Sequence, residues 1–129
     1  MLHALALRGD DRGNLIALEG GREVPFDIAR VYYVFGTKPG VDRGFHAHLA
    51  LHQFAVVVSG ACTMMLDDGH RRMDVRLDGP NLALSIGPMI WHEMRDFTAD
   101  CVLLVMADAY YDEADYIRDY DRFLGLVHA

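Results

Sequence analysis

Cysteine, positive charge and long apolar runs are all in short supply here, and each shortage excludes something. Two cysteines among 129 residues, Cys62 and Cys101, cannot build the disulfide framework of a small secreted domain. Both sit in apolar runs and read as buried small hydrophobes in a reduced compartment. Lys and Arg number 12 against 19 Asp and Glu, a formal net charge of −7. That excludes the basic surface on which non-specific nucleic-acid binding depends. An anionic small ligand then needs a few arginines gathered locally. No apolar run is long enough to cross a bilayer, and the N-terminus has no charged segment leading into an apolar one. The expectation is a cytoplasmic protein without a membrane partner. No linker, repeat or low-complexity stretch divides the chain, so residues 1–129 are expected to form a single domain.

What is present is a succession of short β segments. Hydrophobic residues make up 52% of the chain, enough for a core. Leu15 to Leu18 reads as a short strand before a Gly20-Gly21 turn. Ile28 to Phe35 is rich in β-branched and aromatic residues and stops at Gly36. Phe45 to His48 and the apolar run Phe54 to Ser59 follow. Ala61 to Leu66 enters the hairpin signal Asp67-Asp68-Gly69. The return strand, Arg71 to Leu77, is expected to point Met73, Val75 and Leu77 inward. Leu82 to Ile86, Trp91-His92 and Cys101 to Ala107 complete a pattern that predicts a sandwich or barrel. From Asp112 to Leu124 the period becomes helical, which predicts a C-terminal helix capped by Asp112.

The chemistry concentrates in three histidines. His46 and His48, at i and i+2 on one strand, share a face of the sheet. His92, after the Gly87-Pro88 turn, can return to the same cavity if the sheet folds over. Paired polar side chains facing an apolar interior are costly without a purpose. His52 continues the parity but lies past the strand bend, where packing is the simpler role. Trp91 reads as core, and Glu93 falls on the face opposite His92. No carboxylate follows the histidine pair, since the chain continues Leu49-Ala50-Leu51-His52-Gln53.

This two-motif layout is that of a cupin, an all-β jelly-roll barrel, here with a short C-terminal α-helix. More specifically, the chain resembles the WxcM-like sugar nucleotide 3,4-ketoisomerases. The likeness rests on Arg30-Val-Tyr-Tyr-Val-Phe35, Arg43-Gly-Phe-His-Ala-His48, Leu66-Asp-Asp-Gly69, Trp91-His-Glu-Met94, Asp96-Phe97, Asp100 to Val105, and Tyr111-Asp-Glu-Ala-Asp-Tyr-Ile-Arg118. It implies an isomerase acting on a dTDP-linked 4-keto-6-deoxyhexose in deoxysugar biosynthesis. The carbonyl moves from C-4 to C-3 through an enediol, without a cofactor or metal. It also implies a homodimer that exchanges its N-terminal strand.

Such a site needs a base for the hydrogen beside the carbonyl and donors for the enediolate oxygens. The resemblance implies His46 as the base, His48 as a substrate-orienting partner and Tyr32 as a proton relay. By strand alternation Tyr33 points the other way. Arg12, Arg30 and Arg43 are the cations nearest these motifs, and a planar guanidinium suits a pyrophosphate. The family's galacto branch carries Arg and His where its gluco branch carries Tyr and Arg. Arg12 and His92 occupy those positions here, so the resemblance implies a 3-keto-6-deoxygalactose product, a precursor of a 3-aminosugar. Two alternatives stay open: a metal-dependent cupin liganded by His46, His48 and His92, and a non-catalytic sugar nucleotide-binding module.

Overall fold

Alternating apolar residues broken by glycine and aspartate turns give twelve short strands and one helix. A computed structural model describes all of residues 1–129. The first strands are β1 (Leu2–Ala4), β2 (Arg8–Asp10) and β3 (Gly13–Leu15). β4 (Arg30–Val34), β5 (Arg43–His48), β6 (Gln53–Ser59) and β7 (Cys62–Asp67) follow. β8 (Arg72–Leu77), β9 (Leu82–Ile86), β10 (Trp91–Arg95) and β11 (Val102–Ala107) come next. A 3-10 turn (Glu113–Asp115), β12 (Tyr116–Ile117) and α1 (Tyr120–Val127) end the chain.

Two five-stranded antiparallel sheets form, in the orders β1-β9-β6-β11-β4 and β12-β5-β10-β7-β8, with β2-β3 a separate hairpin. Their inner faces share one core, drawn from Ala55 and Val57 of one sheet and Met64, Leu66 and Met94 of the other. Cys62 and Cys101 are buried in that core as free thiols. The outer face of the first sheet is covered by Leu5 and Val24 of the N-terminal segment. On the outer face of the second, Phe123 of α1 and Ile117 pack on Ala47, Met65 and Trp91. Both layers place side chains of opposite parity on opposite faces, so the neighbours of Ala47 on β5, His46 and His48, must point inward.

Four expectations need correction. The helix begins at Tyr120, not Asp112: Asp112 caps the 3-10 turn, and Asp119 caps α1 by accepting from the amides of Asp121 and Arg122. Tyr116 and Ile117 belong to the sheet, opposite His48 and Ala47. The early strand ends at Leu15, so Ala17 and Leu18 lie outside it. Met73 is 59% exposed because β8 is an edge strand, while Leu77 on the same strand is fully buried. The barrel is open at its edges rather than closed.

Candidate functional site

A β-bulge sets the geometry of the site. His92 of β10 lies opposite His46 of β5, yet Glu93 lies opposite Gly44, leaving Phe45 unpaired with φ +60°. The bulge lets Ala47 face α1 while His46 and His48 turn between the sheets. On β10, Trp91 joins the outer cluster and Met94 the inner one, so His92 also faces inward. Ring centroids are 4.5 Å apart for His46 and His92, 5.1 Å for His46 and His48, and 6.1 Å for His48 and His92.

Each ring is anchored through Nδ1. His46 bonds the Gly44 carbonyl at 3.1 Å, His92 the Ile90 carbonyl at 3.2 Å, and His48 the Asp115 carboxylate at 3.1 Å. These partners only accept, so Nδ1 carries the proton and each Nε2 keeps a lone pair. The Nε2 of His48 is buried with no partner at all. Burial is also the leading reason the rings stay neutral. It pulls His46 down to about 4, with His48 adding repulsion, and His92 to about 3, with His46 adding repulsion. His48 is lowered by the same desolvation, which Asp115 opposes. Neutral imidazole at pH 7 is the form a general base requires.

These shifts carry a stability consequence. The folded values lie below the unfolded value of about 6.5, so the unfolded chain binds more protons as pH falls. The contribution is fully present above pH 6.5 and is lost on going down toward 4 and 3. By pH 5.5, His46 and His92 together are expected to remove about 3 kcal/mol. Thermal melting between pH 7.5 and 5 checks this; a flat Tm across that window contradicts it.

Tyr32 reaches the same cavity from β4. Its hydroxyl oxygen accepts from Gln53 Nε2 at 2.7 Å, which leaves the phenolic proton free to donate. Burial, then the neighbouring Tyr116, pushes its pKa up to about 12, so it stays protonated. Tyr33 is 61% exposed on the opposite face, as alternation requires. A cavity of about 630 Å³ brings together Arg30, Tyr32, Arg43, His46, Tyr116 and Arg118. A second, of about 310 Å³, holds His48 and Asp115 and shares Arg30 and Tyr116 with the first.

The arginines are not equivalent. Arg30 forms no ion pair, its Nε is buried without a partner, and its guanidinium lies 5.4 Å from the Tyr32 ring centroid. Arg43 lines the larger cavity, also without an ion pair. Arg118 is engaged by Glu113 at 2.6 Å and stacks on Tyr116 at 4.2 Å. Arg12 is not brought to the site within one chain. It stands at the tip of the β2-β3 hairpin, its side chain 86% exposed and paired with Asp10. His52 is likewise outside, in a surface pair with Asp108 rather than packed. Trp91 is core beneath α1 and donates to Glu93 at 2.9 Å.

Sequence reasoning missed Gln53, Asp115 and Tyr116. A buried glutamine opening an apolar strand was the available signal for the first; the other two were hidden inside the assumed helix. For metal chemistry, one ring nitrogen from each of His46, His48 and His92 lies within 4.8 Å of the others. Three neutral imidazoles without a carboxylate could hold a transition metal with an open position.

Comparison with known proteins agrees with this geometry. The family model described as WxcM-like, C-terminal, matches residues 1–128. A TDP-4-oxo-6-deoxy-alpha-D-glucose-3,4-oxoisomerase from Aneurinibacillus thermoaerophilus is 52% identical over 114 residues, covering 88% of this chain and 82% of that protein. The crystal structure of a 3,4-ketoisomerase from Helicobacter canadensis superposes with a TM-score of 0.97 at 43% identity, covering 100% of this chain and 97% of the other. A histidine-to-asparagine mutant of the 3,4-ketoisomerase from Thermoanaerobacterium thermosaccharolyticum, in complex with TDP-4-keto-6-deoxyglucose, gives 0.96 at 39% identity, covering 98% and 92%. With its inward histidines, its tyrosine and its sheet order in place, the chain belongs to the WxcM-like family of cupin-fold sugar nucleotide 3,4-ketoisomerases.

Proposed function

We propose that this chain isomerises dTDP-4-keto-6-deoxy-D-glucose to the 3-keto-6-deoxy sugar, with His46 as the carbon base. The observation that carries this reading is a buried cluster of neutral imidazoles beside a protonated phenol and an unpaired arginine. His46 takes the C-3 proton, the C–H pair becomes the C-3=C-4 double bond, and the carbonyl electrons move to O-4. Tyr32 donates a hydrogen bond to the developing oxyanion, where a preorganised donor has its largest effect. Tyr32 relays the O-3 hydroxyl proton to O-4, and return of the proton from His46 to C-4 leaves the carbonyl at C-3 and a hydroxyl at C-4. Arg30 and Arg43, the site's cations without carboxylate partners, suit the diphosphate. A cytoplasmic location goes with this substrate, whose charges do not cross a bilayer unaided; no helix here is long and apolar enough to span one.

The configuration at C-4 follows from which face of the flat enediol receives the proton. His92 is buried directly behind His46, and Arg12 with His92 matches the galacto pattern. The expected product is therefore dTDP-3-keto-6-deoxy-D-galactose. Proton NMR of a reaction in deuterated water should show a 3-keto product, deuterium at C-4 and the couplings of a galacto ring. Unlabelled, unchanged substrate from folded protein removes the reading; a gluco ring removes only its stereochemistry. The convergence of three ring nitrogens favours one rival, a metal-dependent reaction. The same assay after exhaustive chelation separates the two, since turnover by His46 alone survives.

Residues 1–129 read as one cupin domain, and a homodimer completes it. Val31, Tyr33 and Phe35 expose an apolar stripe beside the edge strand β4, an area that pairing would cover. Within one chain β1 closes on its own β9. Exchange of the N-terminal segment up to Gly20-Gly21 would instead carry Arg12 to the partner's site. Light scattering at micromolar concentration should give twice the 14.5 kDa chain mass; a monomer contradicts the dimer.

A further inference from the structure

Four histidines lie outside the cavity, and two of them have a protein partner. His3 shares a hydrogen bond with Ser85 Oγ at 3.0 Å, and His52 pairs with Asp108. The exposed rings of His70 and His128 have only each other, edge to face with centroids 4.9 Å apart. His70 belongs to the β7–β8 turn and His128 closes α1. Both are held through the main chain. Asp68 Oδ1 accepts from the amides of His70 and Arg71 at 2.8 Å each, and Asp67 Oδ1 from that of Gly69 at 2.8 Å, which fixes the turn. The His128 amide donates to the Leu124 carbonyl at 3.0 Å, which fixes the helix end. Turn and helix end touch directly: Gly69 has φ +91°, and a Cβ there would stand 2.6 Å from a Val127 methyl.

Imidazole is the commonest side-chain ligand for divalent transition ions, and two on fixed elements can chelate one ion between them. With zinc about 2.0–2.1 Å from each nitrogen and a tetrahedral angle between them, two ring centres lie roughly 5 Å apart. The observed 4.9 Å therefore asks for rotation of the rings and no movement of the backbone. Asp68 stands close enough to His70 for their charges to interact, and its carboxylate favours a cation at this place. We propose that His70 and His128 form a surface metal clasp for Zn²⁺ or a neighbouring divalent transition ion, with water in the remaining positions. Its task is structural. The ion ties the end of α1 to the β7–β8 turn, and α1 is the layer that covers Ala47, Met65 and Trp91 behind the histidine-bearing strands. Neither residue lines either cavity, so the clasp is separate from the reaction and from any ion held by His46, His48 and His92.

Thermal melting of the full chain with zinc chloride as the probe tests it. At about 100 times its Kd, Zn²⁺ should raise Tm by about 5 °C or more, since an ion that binds the folded chain stabilises it by mass action. Mg²⁺, which prefers oxygen donors, should leave Tm unchanged. His70→Ala and His128→Ala should each lose most of the zinc-dependent rise, while the metal-free Tm stays within about 1 °C of wild type, as for other exposed side chains. Turnover should be that of the wild type in both. Position is read separately. Substoichiometric Cu²⁺, the ion such a donor pair binds most tightly, should broaden the amide NMR signals of residues 68–71 and 126–129 in the wild type and in neither variant. A zinc-dependent rise undiminished in both variants, or broadening confined to residues 44–48 and 90–93, assigns the ion to the inward cluster and overturns the proposal. So does a Tm that zinc leaves unchanged.

Discussion

His46→Asn is expected to lower kcat by about 10³-fold or more while TDP binding stays within a few-fold of wild type. A positioned acid–base group contributes about 10²–10⁴ to such a step. In the proposed reaction it acts twice, removing the proton at C-3 and returning one at C-4. The ring has no structural task to lose. Its only protein hydrogen bond is to the Gly44 carbonyl, and it is half-buried at the cavity wall, outside the three apolar clusters that hold the fold together. In the proposed reading the diphosphate falls instead to Arg30 and Arg43, which line the cavity and would interact equally in ground and transition states. Loss confined to kcat is what an interaction unique to the chemical step produces. Calorimetric titration with TDP and a direct NMR assay separate the two quantities. Retention of most of kcat would show that another group is the base.

That histidine was legible in the sequence because strand parity is a local property. His46 and His48 are two residues apart, and the apolar residue between them, Ala47, marks the opposite face. The same period-two rule placed Tyr32 inward, Tyr33 outward and Glu93 away from His92, and the Asp67-Asp68-Gly69 turn fixed β7 against β8. What failed was non-local. Tyr116, Ile117 and Tyr120 fit a helical spacing, but Tyr116 and Ile117 are drawn into the sheet by pairing with β5, some 70 residues earlier. Because Asp115 lay inside that supposed helix, its contact with His48 across 67 positions could not be anticipated. Met73 was misplaced for a related reason, since alternation cannot tell an edge strand from a central one. Arg12 shows the limit of motif mapping: the resemblance puts it in the site, whereas its hairpin stands in solvent unless a second chain receives it.

Gly44→Ala is expected to destabilise the fold by about 2–4 kcal/mol and to lower kcat by about 10²-fold, a combination no other single methyl group here should produce. Gly44 has φ +91°, a conformation that costs an L-residue about 1–2 kcal/mol. A Cβ at this position would also stand 2.9 Å from the His92 carbonyl oxygen and 3.3 Å from the Glu93 Cα. Both are main-chain atoms of β10, which cannot rotate away as a flexible side chain can, so the strands must part or the bulge must shift. Either response reaches the chemistry. The Gly44 carbonyl holds His46 Nδ1, and His92 sits opposite His46 in the register that the bulge defines. Displacement by about 1 Å at a reacting group is enough for a 10²-fold loss. Gly87→Ala is the control, since nothing lies within 4 Å of its added carbon and its φ is not positive. Thermal melting should separate the two variants by roughly 10 °C. If Gly44→Ala melts and turns over like Gly87→Ala, the bulge does not hold the histidines in place, and their convergence must be maintained by α1 and the outer cluster beneath it.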